Sequence, residues 1–180
     1  MGFNGIILKE MNMLNHSAKH YNEYTSIVGD ILSSPEFNKL KAYRHHYGVS
    51  RFEHSVNVSY YSFLICKRLG LNFRAAARAG LLHDFFHYEC HKEKTGMFKH
   101  AKLHPKLALK NAQQLTPLSE LEKDIILKHM FLCSTVIPQY RESYIVSAID
   151  KLSAVCEAAF GVYTAIRTLK AFKLLYGKKL

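Results

Sequence analysis

Tryptophan is absent from this chain of 180 residues, and proline (4), glycine (9) and cysteine (4) are scarce. So few turn-formers argue against the many tight connections of a strand-rich fold, and the chain reads as helical throughout. Cys66, Cys90, Cys133 and Cys156 are widely spaced and form no CxxC pair. That excludes a zinc ribbon and argues against a disulfide framework. The four read as reduced thiols, mostly held in the core. No apolar run approaches the roughly 18 residues of a membrane span, so no membrane association is expected. Met1 to Glu10 carries neither a basic lead-in nor a small-residue cleavage site. No signal peptide is expected, and the cytoplasm is the simplest compartment. Acidic side chains are also in deficit, with 14 Asp+Glu against 25 Lys+Arg, a formal charge of +11 and a pI near 9.5. Such a surface suits anionic partners without choosing among them, and no nucleic-acid motif accompanies it.

What is present is an ordinary globular balance, 48% hydrophobic and 22% charged, over a length that suits one domain. Periodicity predicts a first helix over about Ala18 to Leu32, with Tyr21, Tyr24, Ile27, Val28 and Ile31 on one face. Ser34-Pro35 reads as an N-cap with proline at the first helical position, opening a short helix to about Tyr43. Ser50-Arg51-Phe52-Glu53 fits a capping box, and Gly70 sits where the helix it opens should end. A helix follows from Phe73 to about Phe86, rich in small residues. Residues 91–103 read as a loop, Pro105 restarts a helix to about Leu115, and Ser119 opens another to about Met130. A last pair runs over Arg141–Ala159 and onward to about Tyr176, with Gly161 as a possible break.

The sequence is also rich in histidine, with 11. His54, His83-Asp84, His104, His129 and Asp150 fall in or beside different predicted helices. Imidazole and carboxylate are the ligands of divalent first-row metals, and helices converging on a bundle core can assemble them from distant positions. A lone histidine is ordinarily a satisfied core or surface residue. Asp84 and Asp150, however, each close an apolar run (Ala79 to Leu82, Ile145 to Ile149), and a carboxylate placed so is costly unless paired or metal-bound.

The segment from His46 through Arg51-Phe52-Glu53-His54-Ser55, followed by Gly80-Leu81-Leu82-His83-Asp84, resembles the HD-domain metal-dependent phosphohydrolase superfamily. His104-Pro105, Lys128-His129-Met130 and Ala148-Ile149-Asp150-Lys151 resemble its later ligand motifs. The resemblance implies an all-α, compact HD-type helical bundle. Residues 35–159 would be the matching core, 1–34 a helical extension and 160–180 a basic amphipathic helix of one domain. It implies that His54, His83, Asp84 and Asp150 hold a first metal. His104 and His129 match the extra histidines of dinuclear members, in which the HD aspartate bridges, here Asp84. Two divalent ions are therefore expected, iron or manganese ahead of zinc, cobalt, nickel or magnesium. They would activate a bridging hydroxide for attack on a phosphate ester. His87 stands where some cyclic-dinucleotide-cleaving relatives carry a lysine, and it could donate to phosphate or act as general acid. Arg51 is the first choice to grip phosphate, with His91, Lys128 and Lys151 as further substrate contacts. Catalytic roles thus fall on Asp84, His87 and Arg51. The expected substrate is a nucleotide or small phosphorylated metabolite, with no stable nucleic-acid complex, the protein being a monomer or homodimer. Two alternatives stay open: a mixed-valent di-iron oxygenase with the same ligand order, and a non-catalytic module that binds an anionic ligand.

Overall fold

A computed structural model describes the backbone over residues 3–44, 49–88 and 97–176, and side chains over 18–44, 49–88, 102–159 and at 161. Seven α-helices run in the order α1 (Phe3–Ser33), α2 (Pro35–Asn38), α3 (Arg51–Arg68), α4 (Phe73–Leu82), α5 (Met97–Leu115), α6 (Glu120–Lys128) and α7 (Arg141–Tyr176). A 3-10 turn, Lys39–Ala42, follows α2. Among the described residues there is no strand, and the fold is all-α as expected.

The capped starts at Ser34, Ser50 and Ser119 hold in detail. Ser34 accepts from the Phe37 amide with Pro35 at the first position. In both capping boxes the hydroxyl accepts an amide proton while the glutamate takes the N-cap's own, for Ser50 with Glu53 and Ser119 with Glu122. Gly70 ends α3 at φ +67°, where its amide donates to Lys67 and the Leu71 amide donates to Cys66. That crossed pair of bonds is the Schellman closure, and only glycine enters it without strain.

The core is built where α3, α4, α6 and α1 meet. Tyr24, Ile27, Val28 and Ile31 of α1 join Phe63, Ala76, Leu81 and others in this core. α3 and α4 approach so closely that a Cβ on Gly80 would meet the Ser59 Cα at 3.0 Å. Ser59 spends its hydroxyl on the Ala77 carbonyl (2.6 Å) and accepts from the Tyr24 phenol (2.9 Å), so the three helices are pinned at one point.

Five expectations need correction, and the first is that α1 begins at Phe3 rather than at about Ala18. α4 stops at Leu82, not Phe86, and His83 and Asp84 lie in a turn beyond it. α5 begins at Met97 and carries Pro105 within it, where a lost hydrogen bond is offset by packing on α6. Gly161 does not interrupt α7, since an isolated glycine weakens a helix by only about 1 kcal/mol. Of the described cysteines only Cys66 is buried, while Cys133 and Cys156 are exposed. No helix of the described residues is long and apolar enough to cross a membrane.

Candidate metal centre

α4 and α6 end alike. Each stops one residue before a histidine, whose ring then folds back on its own helix. Nδ1 of His83 donates to the Gly80 carbonyl at 2.7 Å, and Nδ1 of His129 donates to that of Ile126 at 2.8 Å. These bonds use one nitrogen, fix the tautomer and aim Nε2 inward. α3 adds His54 one turn from its start, α5 adds His104 and α7 adds Asp150.

The six side chains form two clusters, His54 with His83 and Asp150, and Asp84 with His104 and His129, the ligand atoms of each lying within 4.8 Å of one another. Asp150 Oδ1 is 3.1 Å from Nε2 of His54 and 3.6 Å from Nε2 of His83. Asp84 Oδ1 is 3.4 Å from Nε2 of His104 and 3.6 Å from Nε2 of His129, while its Oδ2 reaches to 3.9 Å from His83. Asp84 therefore faces both clusters. The four histidines and Asp84 are buried, and Asp150 nearly so.

Charge is distributed unevenly. Burial works against protonation of His54, but bonds from Asp150 and Glu157 outweigh it and raise its pKa to about 10. His83 is likewise raised, burial being overcome by Asp84 and Asp150. His129 goes the other way: burial, reinforced by His104 and His83, pushes it down to about 3. Asp150 is held well below the usual carboxylate range, because its bond with His54 and the nearby His83 outweigh its burial.

A cation fits this donor set better than protons do. Nε2 of His83 is buried without a hydrogen-bond partner among the described residues. Nε2 of His104 and Nε2 of His129 face each other at 2.8 Å, although His129 has already committed its proton on the far side of the ring. Imidazole nitrogens and carboxylate oxygens that converge in this way are the chemistry of a divalent metal site.

Four of the residues expected to touch substrate, Arg51, His87, Lys128 and Lys151, have partners within the fold. Arg51 is 1% exposed and braces the turn after Asp84. Its Nη1 donates to the Phe86 carbonyl (2.6 Å) and its Nη2 to that of Tyr88 (3.1 Å), with the guanidinium stacked 3.7 Å from the Phe86 ring centre. His87 is half-buried and turned toward α2, its Nε2 donating to the Glu36 carbonyl at 3.3 Å. Because the chain is not helical at 85–87, it does not extend the α4 face. His91 lies outside the described residues. Lys128 is paired with Asp124. Lys151 donates to the carbonyls of His129 (2.9 Å) and Ser147 (3.1 Å), so it steadies the end of α6. Sequence reasoning missed Glu157, whose oxygens lie 3.0 and 3.1 Å from Nδ1 of His54. A signal existed: it stands seven residues after Asp150, two turns on along the same face, inside an apolar run.

Among known proteins, residues 51–155 match the HD domain family, a span that contains all six clustered side chains. Ribonuclease Y from Clostridium perfringens strains SM101, ATCC 13124 and 13 is 47% identical over 53 residues. That stretch is 28% of this chain and 10% of the relative, so the chain spans only a small part of the curated relatives it matches. No solved structure matches.

Proposed function

Since this chain belongs to the HD-domain superfamily of metal-dependent phosphohydrolases, we propose that it hydrolyses a phosphate ester of a nucleotide or small phosphorylated metabolite at a dinuclear centre. The observation that carries the reading is the pair of clusters with Asp84, a member of one, also facing His83 of the other. His54, His83 and Asp150 would hold one ion, and His104 and His129 the other, with Asp84 reaching both. Bound there, two divalent ions would supply an acidified water and positive charge for the phosphate oxygens. The chain's own residues do the holding. The carbonyls of Gly80 and Ile126 orient two of the rings, Lys151 and Ser147 fix the His129 backbone, and Arg51 sets the turn that follows Asp84.

The Ribonuclease Y likeness favours a second substrate reading, a phosphodiester of RNA, at the same site. One experiment addresses metal and chemistry together. Protein purified without chelator is assayed for metal by plasma mass spectrometry, then given a phosphomonoester, a phosphodiester and a short RNA with and without oxygen. About two ions per chain and oxygen-independent hydrolysis are expected. Oxygen consumption by an iron-loaded protein that hydrolyses none of them would replace this reading with the oxygenase. No metal, even after anaerobic reconstitution with iron and manganese, would leave the anion-binding module.

A further inference from the structure

One imidazole of the centre is bracketed by two carboxylates from one helix. Asp150 lies 3.1 Å from Nε2 of His54, and Glu157 lies 3.0 and 3.1 Å from its Nδ1. Glu157 is 8% exposed, so its charge is largely removed from water and directed at that ring. The other rings whose Nδ1 is accounted for, His83 and His129, donate instead to neutral main-chain carbonyls. A carboxylate behind a histidine raises the donor strength of the nitrogen in front more than a carbonyl does. The two metal positions are thus unequal. Asp84 faces both sides, but the His54 side has two further carboxylates, Asp150 and Glu157, and the side of His104 and His129 has none besides Asp84 among the described residues. Glu157 also lies past residue 155, where the match to the family ends.

We infer that Glu157 is a positioning residue that holds His54 with its proton on Nδ1 and makes the His54, His83 and Asp150 position the tighter of the two. The inference rests on the dinuclear reading above. In Glu157→Gln, an amide oxygen still accepts the Nδ1 proton, so the shape is kept while the charge is lost.

The test is a titration of the metal-stripped 180-residue chain with manganese(II), read by calorimetry and by the electron paramagnetic resonance of the free ion. Wild type is expected to show a tight and a weak class of site, and His104→Ala is expected to keep the tight one. Glu157→Gln should weaken the tight class by about 10–100-fold and leave the weak one in place. Unchanged affinity of both classes in a variant with wild-type circular dichroism overturns the inference, as does equal weakening of both. A second measurement needs no variant: a long-range proton–nitrogen spectrum of zinc-loaded wild type should show His54 protonated at Nδ1, and a bare Nδ1 overturns the inference. Failure of wild type to bind manganese or zinc at all is a different result, which removes the dinuclear reading itself.

Discussion

Histidines within one site, a few ångströms apart, are pushed in opposite directions, and this should be visible in stability. For the metal-free protein, His129 is neutral when folded, its pKa pushed from 6.5 down to about 3. An unfolded chain takes up a proton there as pH falls through 6.5, so that contribution to stability is present above 6.5 and lost as pH falls toward 3. His54 is raised from 6.5 to about 10. Its contribution is present below 6.5 and lost as pH rises toward 10, and His83 adds to it in the same sense. Urea unfolding should therefore find stability rising with pH up to about 6.5 and falling between there and about 10. His129→Gln should flatten the acid arm, and His54→Gln the alkaline arm. A wild-type curve without a maximum in this region would contradict the assigned proton positions.

Two contacts between elements carry more than their size suggests. At the α3–α4 crossing a methyl group on Gly80 would press on the Ser59 main chain, which cannot retreat without shifting α3 and the His54 it carries. Gly80→Ala should cost about 1–3 kcal/mol, measured by denaturant unfolding. Arg51 joins the start of α3 to the turn after α4 by two carbonyls and a stacked ring, and Phe86 in turn packs on His104 at 5.4 Å between ring centres. Removing a buried, charged donor leaves those carbonyls unsatisfied. Arg51→Ala should cost about 3 kcal/mol and speed hydrogen exchange of the amides at 85–88. Unchanged stability with a raised KM for a phosphate ester would instead restore Arg51 to the substrate.

For the molecule as a whole, ligands for the two positions come from five helices or their ends, so metal and fold are linked. At a free metal concentration 100 times the Kd, one such site adds about 2.7 kcal/mol. For a chain of this size that is a rise in Tm of roughly 5–10 °C, reversed by chelator. Asp84→Ala should abolish both the rise and the bound metal, because Asp84 faces both clusters. A variant that keeps its metal and the full thermal response would sink the assignment of Asp84.

Much of this was legible along the chain because its causes are local. Capping boxes at Ser50 and Ser119, the proline start of α2 and the glycine stop at Gly70 involve residues one to five apart, and all form as read. The cost of a carboxylate at the end of an apolar run singled out Asp84 and Asp150 in the same way. The ordered set of histidines was visible as a motif, though nothing local could show that its members meet. Tertiary structure decided what depends on distant partners. The sequence reads Pro105 as a start and Gly161 as a break, yet α5 and α7 run through them, α5 where it packs on α6. Arg51 looked available for phosphate, but 35 residues away the Phe86 carbonyl takes its charge inside. Glu157 meets His54 across 103 residues of sequence. Local propensity and desolvation cost can be read from neighbours in the chain, whereas the partner of a buried charge is settled only when the helices close around it.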